Sequence, residues 1–564
     1  MRFQLIVTLC LVTVAQCCTT VAVTGKASAN GHPMCSHSND GDGDVAGRLT
    51  HVPPEDFPEG AVRKVQYGEI PQVSHTFAYK TEGYGIMNEF SVGLCESTCS
   101  GVFDVNNGGW GGKGLVTIVD LGKIALERAS SAREAIGVMG DIATKYGFRD
   151  AAESLFVVDT NESWVFQILP DDTNTSAIFA AEQITGSQVA MVTNAFTIRN
   201  IDFTDNLKFV TSSNIRSIAE KYGFWKQGQP FDFVSVYSKG ELGPKYNSGR
   251  RMWEGYRLMS QGKADVAPTY ESFNNWVQTS ISVPQESVSV KSVFKVMRSY
   301  YNGTVYDLSE SSAASTRKIQ GGPFGTSFRA HAGYAEATFP NGRWERPIAT
   351  WKTQVSFVAN SGGISDQGVV WFAPHAAHTA VYAPFLASDS ASRSYIPASF
   401  SGSCSIFPPV DRQKAFWANR YVFHLSQIHF TYAIQDVQRV RDPIEEQSFA
   451  LVQKLSQQLG KGEINDTEVA VTLGHNADKI VQTWWNFSED LLSWYGEGNC
   501  NRCQHPADGR YIGYPRWWLE TVGYNDPEPL AYRKELVSSM SIEEIQRAIE
   551  ALQAEKINRR RTRV

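Results

Sequence analysis

Long apolar runs are scarce. After Leu5 to Val14 no stretch approaches the ~20 uninterrupted apolar residues that carry a helix across a bilayer, so the processed chain is expected to be soluble, with no membrane partner. Charge of one sign is also in short supply. The 52 Lys and Arg face 58 Asp and Glu, a net charge of −6, and no basic stripe appears outside Arg559-Arg560-Arg561-Thr562-Arg563, which reads as a solvated or trimmed tail. A nucleic-acid surface needs such a stripe, so no nucleic-acid partner is expected. Metal-binding spacings are incomplete. Cys500-Asn501-Arg502-Cys503 has no second Cys-x-x-Cys, and His375 and His378 have no identifiable third ligand. Asp40-Gly41-Asp42-Gly43-Asp44 lacks the glutamate that closes a calcium loop at its twelfth position. The glycine-rich stretch Asn106 to Gly112 lacks the Lys-Ser/Thr ending of a phosphate cradle and reads as a flexible loop. No metal and no other cofactor is expected. Internal repeats and long low-complexity linkers are absent as well.

What is present supports a substantial core: 42% hydrophobic and 12% aromatic residues argue against global disorder. A length of 564 residues allows several domains, or one large enzymatic domain with a helical annex. The chain begins with what reads as a removable leader. Met1-Arg2 gives a positive start, Leu5 to Val14 a short apolar run and Ala15-Gln16-Cys17 a small-x-small cleavage pattern, so residues 1–17 are expected to be a secretory signal peptide. Cleavage after Cys17 makes Cys18 the first residue. Its thiol then lies a few bonds from a free α-amine with a pKa of roughly 7.7–8, and a thiol with a built-in base is an activated nucleophile. Two blander readings compete: an incidental small residue at the end of a leader, or a lipid-anchored cysteine, for which bulky Gln16 makes a poor signal. Loss of the leader leaves Cys18, Cys35, Cys95, Cys99, Cys404, Cys500 and Cys503. With Cys18 free, the other six could form up to three disulfides. Sequons at Asn161, Asn174, Asn302, Asn465 and Asn486 fit glycosylation on a secretory route to a secreted or lysosome-like location.

Along the chain, Thr19 to Thr24 reads as a buried strand, Ser28 to Gly31 as a turn and Met34 to Ser38 as the return strand. Such a hairpin brings His37 to Asp40 beside residue 18 and makes Asp40 a candidate partner for the terminal amine. Gln72 to Tyr79 is strand-like, and Gly85 to Leu94 reads as a turn flanked by strands. Val119 to Arg128 is helical. Ser131-Ala132-Arg133-Glu134 opens a second helix with Ile136, Met139, Ile142, Ala143 and Tyr146 on one face and Gly147 as its stop. Leu155 to Asp159 and Trp164 to Ile168 form a hairpin, and Val189 to Val192 is a strand running into Thr193-Asn194. Hairpins, then paired helices, then hairpins predict an α+β fold, with helices layered on largely antiparallel sheets. Arg250 and Arg251, beside Trp253, are candidates either to clamp a substrate carboxylate or to form a surface ion pair. Strands resume at Ala349 to Asn360 and Gly368 to Ala373. After Arg412 the pattern is helical, from Phe416 to Leu459 and from Val469 to Trp494, with Trp484, Trp485 and Trp494 packing this part on the core. Ser541-Ile542-Glu543-Glu544 starts a terminal amphipathic helix carrying Ile545, Ile549 and Leu552.

Several of these segments together resemble one family. Cys18-Thr19-Thr20, Asp40, Asn88-Glu89 with Val92-Gly93-Leu94, Thr117 to Gly122 running into Ala125 to Ala129, and Val192-Thr193-Asn194 are similar to the C69 dipeptidases. These are dipeptidase A-type, secernin-related members of the N-terminal-nucleophile hydrolases. The resemblance covers roughly residues 18 to 450 and is densest before 260. It implies an αββα sandwich of two antiparallel sheets between helix layers, and hydrolysis of dipeptides with broad specificity, without a metal. The expected division is a catalytic domain at 18–410 and a helical C-terminal region at 411–564. By the resemblance, Cys18 is the nucleophile with its own amine as base, and Asp40 holds that amine or the thiol. Asn194 donates to the oxyanion of the tetrahedral intermediate, and Arg250 or Arg251 steadies the site or takes the substrate carboxylate. A second oxyanion donor is expected from backbone in the Glu96–Cys99 region. The pattern has an arginine three residues before the aspartate, where this chain has His37, which is placed with Arg250 and Arg251 among the substrate-binding residues and is charged only below ~6.5. Either an acidic compartment, another arginine or reduced activity follows. A linear-amide acylase of the penicillin or bile-acid type and a catalytically silent secreted glycoprotein are the competing readings, and a homo-oligomer is left open.

Overall fold

The computed structural model describes residues 18–41, 47–103, 112–239, 248–260, 277–307, 309, 324–327, 346–365, 367–389, 392–396, 409–495 and 516–521, with six further positions between 541 and 550. The chain opens with the expected hairpin of β1 (Thr19–Val23) and β2 (Met34–Asp40). It continues through β3 (Thr50–Val52), β4 (Tyr79–Thr81), β5 (Gly85–Asn88) and β6 (Gly93–Cys99). Two helices follow, α1 (Ile118–Arg128) and α2 (Ala132–Tyr146), each set by its ends. Thr117 and Asp120 form a capping box on α1, while Ser131 caps α2 and Gly147, at φ 79°, ends it. The chain returns to strands with β7 (Ala152–Val158), β8 (Ser163–Pro170), β9 (Ala177–Ile184), β10 (Gln188–Val192) and β11 (Phe209–Thr211). The later half adds α3 (Ser248–Met259), β12 (Ile281–Ser282), α4 (Val290–Met297), β13 (Thr353–Ile364), β14 (Gln367–Pro374) and β15 (Ala383–Leu386). It closes with α5 (Ala415–Ser426), α6 (Phe430–Gly460) and α7 (Asp466–Tyr495).

These strands make two large antiparallel sheets. The first runs β12-β10-β1-β2-β13-β14-β15 and the second β11-β9-β8-β7-β6-β5-β4-β3. Strand β6 lies over β1, β2 and β13, so the sheets face each other and share an interior. Helices α1 and α2 cover the outer face of the second sheet along β5, β7, β8 and β9. The outer face of the first carries α3 on β10, α4 on β13, α5 on β14, α6 on β13 and β15, and α7 on β15. The layering is αββα, an α+β fold. β1 and β2 are buried at every position because they have a layer on both faces; β1 reads as a near-continuous run, whereas β2 carries buried polar side chains from Ser36 to Asp40. One apolar cluster joins the inter-sheet layer to the later helices, including Trp484, Trp485 and Trp494, and a second lies under α1 and α2.

Three expectations need correction or completion. Gln72 to Tyr79 is not one strand: only His75–Thr76 and β4 pair, because the Phe77 N–H leaves the ladder for the carbonyl of Glu127 at the end of α1. Three disulfides do not form, since Cys35, Cys95 and Cys99 are free thiols buried as small apolar residues, and Cys404, Cys500 and Cys503 lie outside the described residues. The capping box at Ser541 and Glu544 is present, but Ile545, Ile549 and Leu552 are outside the described residues, as are the expected leader at residues 1–17, the glycine-rich stretch to residue 111 and Asp42 to Asp44. No helix among the described residues is long and apolar enough to cross a membrane. Of the sequon residues, Asn161, Asn302, Asn465 and Asn486 are exposed and Asn174 is half-buried.

Candidate active site

Cys18 sits at the entry to the central strand β1 and is fully buried. Register explains its neighbours. Thr20 pairs with Val192 on one side and Thr19 with Ser38 on the other, so the ends of β10 and β2 converge on Cys18. Asn194 follows β10 and holds a left-handed backbone at φ 68°, which asparagine tolerates better than most residues. Its backbone N–H donates to Ser97 Oγ at 3.1 Å and its side-chain amide to Thr98 O at 2.7 Å, tying the first sheet to β6 of the second.

Arg251 braces this junction. Its Nη1 donates to Cys18 O at 2.7 Å and Thr19 Oγ1 at 2.9 Å, and its Nη2 to Asn194 Oδ1 at 2.6 Å and Thr193 O at 3.1 Å. The guanidinium is fully buried, so the surface ion pair is ruled out, and its donors are directed at the protein itself. Helix α3 can place it there because Gly255 lets the helix approach β10; a Cβ at that position would overlap Met191 Sδ. The neighbouring Arg250 points elsewhere and stacks over the Tyr306 ring, 3.4 Å from its centroid.

Asp40, at the end of β2, is anchored by residues that the sequence reading missed. Arg346 Nη2 donates to Asp40 Oδ2 at 2.6 Å and Thr353 Oγ1 to Asp40 Oδ1 at 2.6 Å. Arg346 Nη1 also reaches Asn194 Oδ1, at 3.3 Å. The Thr19 N–H bonds Ser38 Oγ, which in turn lies 3.5 Å from Asp40 Oδ2. Burial outweighs the opposing pull of Arg346 and Thr353 and pushes the Asp40 carboxyl up to about 6. A carboxyl raised in the fold holds its proton more tightly folded than unfolded. Its contribution to stability is therefore complete below its ordinary value of 3.8 and is lost as pH rises through about 6. Melting curves across that window are expected to fall less steeply with rising pH for Asp40→Asn than for wild type, and parallel curves would remove Asp40 from the pH dependence.

His37 and Asp40 are three positions apart on a strand, and so face opposite ways. Asp40 faces Arg346, whereas His37 points between the sheets, edge-on to Tyr84 and Phe357. Its Nδ1 is 3.8 Å from Glu82 Oε1 and its Nε2 is 3.6 Å from Glu96 Oε2. Burial pushes the imidazole down to about 3, so His37 is not charged near neutrality and gives no reason to invoke an acidic compartment. The arginine serving Asp40 is Arg346, which arrives from 306 residues away. No short spacing or periodicity could have flagged it.

Glu96 was expected only as part of a backbone stretch, yet its side chain reaches Cys18. Thr98 Oγ1 donates to Glu96 Oε1 at 3.0 Å. Burial pushes Glu96 up to about 7, and its neighbour Glu153, raised by burial and then by Glu96, is the partner that keeps its proton. The Cys18 thiol is pushed well above its ordinary value, first by burial, then by Glu96 and Asp40, with the Asp40 backbone N–H opposing. With Cys18 in peptide linkage, the thiol is therefore protonated and inert. His378 Nε2 bonds Ser327 Oγ at 2.7 Å, the His375 ring packs on Phe423, and among the described residues neither belongs to a group of three metal-ligand side chains.

A thiol at the start of a central strand, flanked by aspartate, asparagine and arginine from three other segments, is the geometry against which the chain's relatives can be judged. Residues 17–442 match the profile of peptidase family C69. The chain belongs to peptidase family C69. Members of this family hydrolyse peptide bonds. Relatives of the C69 chain include a probable dipeptidase of Latilactobacillus sakei, 26% identical over 184 residues, which make up 33% of this chain and 36% of that protein. A probable dipeptidase of Salmonella dublin is 23% identical over 51% of this chain and 68% of its own length. Probable dipeptidase A of Streptococcus pyogenes serotype M3 (strain SSI-1) is 22% identical over 80% of this chain and 92% of its own. Among solved structures, a mutant of the conjugated bile acid hydrolase from Clostridium perfringens aligns at 12% identity and a TM-score of 0.26, over 63% of this chain and 89% of that one.

Proposed function

We propose that this C69 peptidase is a cysteine-type dipeptidase whose nucleophile is Cys18, uncovered as the amino terminus when residues 1–17 are removed. The observation that carries the reading is the convergence of Asp40, Asn194 and Arg251 on the one cysteine that begins a central strand. Removal of the leader replaces an amide at Cys18 with an amine. While the amine is charged, it lowers the thiol pKa by attraction; once neutral, it accepts the thiol proton as sulfur attacks the substrate carbonyl. Asp40, fixed by Arg346 and Thr353, sits at the end of the strand beside that amine and holds it in register. The tetrahedral intermediate puts negative charge on the former carbonyl oxygen. Asn194 is the candidate donor, because its amide carries two N–H groups and Thr98 O takes one of them. Collapse expels the leaving amine with a proton, and water hydrolyses the thioester. Arg251 acts through Cys18 and Asn194, as a positioning residue. His37 lies behind the thiol, and Arg250 stacks on Tyr306, so neither is assigned to the substrate.

The same reading takes residues 18–410 as the catalytic part, with α5 to α7 as the outer cover of the first sheet. It takes the protein as secreted or lysosome-like, with glycans at the exposed sequons. The test uses purified chain whose amino terminus has been read by mass spectrometry. Chain starting at Cys18 is expected to release free amino acids from a dipeptide panel and to leave fatty-acyl and phenoxyacetyl amides intact. Cleavage of the amides alone would make it an acylase, and an active chain that retains residues ahead of position 18 would end the proposal.

A further inference from the structure

The interior between the sheets holds an unbalanced polar cluster. Cys18, His37 and Glu96 each offer one ligand atom within 4.8 Å of the other two, the only such group of three among the described residues. All three are buried, at 0%, 0% and 2% exposure. Neither ring nitrogen of His37 has a hydrogen-bond partner, and neither does Glu96 Oε2. Leaving buried polar atoms unpaired costs ~1–3 kcal/mol each, so two or three in one place ask for an occupant. The His37 Nε2 to Glu96 Oε2 distance of 3.6 Å is too long for a good hydrogen bond. It is close to the ligand spacing in a tetrahedral zinc site, where bonds of ~2.0–2.1 Å place nitrogen and oxygen about 3.4 Å apart. Sulfur, imidazole nitrogen and carboxylate oxygen are together the donor set of a borderline-soft divalent cation, and oxygen-seeking magnesium or calcium would not choose it.

We propose that Cys18 Sγ, His37 Nε2 and Glu96 Oε2 bind one Zn2+, and that this is an inhibitory site. The ion is a regulator of the peptidase and no part of its chemistry. Binding forms the zinc–sulfur bond and releases the thiol proton to solvent, so the lone pair that would attack the substrate is held by the metal. Histidine at position 37 thereby acquires a use in the inter-sheet layer. Inhibition rests on the reading of Cys18 as nucleophile; metal binding by the three side chains does not.

The test is a titration of the purified processed chain with Zn2+ alone, and separately with Co2+ as a spectroscopic probe. One ion per chain is expected, with a thiolate-to-cobalt charge-transfer band. Dipeptide hydrolysis is expected to fall in step with occupancy and to return when a chelator is added. Glu96→Gln and His37→Gln keep size and neutrality in the buried layer. Each is expected to weaken binding by at least about 100-fold, beyond the 10–100-fold typical of an outer-shell change. Cys18→Ala is expected to abolish the charge-transfer band. Unaltered affinity in folded His37→Gln and Glu96→Gln, or a bound ion without the band, would overturn the site. A chain that hydrolyses no dipeptide yet binds Zn2+ through these ligands would overturn the dipeptidase reading and leave the metal site standing.

Discussion

Cys18→Ala is expected to reduce dipeptide kcat/KM by roughly 10⁴- to 10⁶-fold, the scale on which loss of a covalent nucleophile is felt when the rest of a site is intact. Folding is expected to survive, because the change deletes one sulfur from a position held mainly through its backbone. Arg251 grips the Cys18 carbonyl, and Thr19 begins the paired strand β1. A melting temperature within a few degrees of wild type, measured on the same preparation as the kinetics, separates lost chemistry from lost structure. Retention of wild-type turnover by the alanine variant would remove Cys18 from the mechanism.

Arg251→Met is expected to fail in the opposite way, through structure first. The methionine fills much of the volume but takes the guanidinium's donors from Cys18 O, Thr193 O and Thr19 Oγ1 in a fully buried pocket, and leaves Asn194 Oδ1 with the longer contact from Arg346. Hydrogen bonds to a charged group contribute about 1.5–3 kcal/mol each, and unpaired buried acceptors add a penalty, so a loss of at least about 3 kcal/mol is expected in chemical denaturation. In the fraction that remains folded, the ends of β1 and β10 are no longer stitched together. A displacement of about 1 Å between nucleophile and oxyanion donor costs about 10²-fold in rate. Arg251→Lys is expected to fall between, because one ammonium cannot serve acceptors on both strands. An unchanged denaturation midpoint for the methionine variant would mean that the guanidinium does not carry the junction.

The two substitutions also divide what could be read from the chain alone. Cys18 was legible as a candidate because a cleavage pattern ends just before it, and the hairpin placing Asp40 alongside followed from a buried strand, a turn and a return strand. The helix at 132–146 was legible from its capping residues and stop glycine and the one at 118–128 from its helical pattern, signals that lie within a few residues. Arg251 was recognised as a candidate, but its task was left open between substrate and scaffold. A pair of arginines on a helix says nothing about which one faces the strand ends. His37 was assigned to the substrate side from its place in a pattern, yet alternation along β2 turns it the other way, into the layer between the sheets.

By itself the sequence determined the local elements and the α+β class and singled out Cys18 as the candidate thiol, because strand alternation, helix period and capping are all settled within a few residues. Tertiary structure decided which groups surround that thiol. Arg346 reaches Asp40, Glu96 reaches Cys18, and Asn194 is held between the sheets by Thr98 and Arg251. These contacts depend on strand register and on how one sheet is laid over the other. Both are fixed by the packing of the whole interior, which no window of neighbouring residues contains.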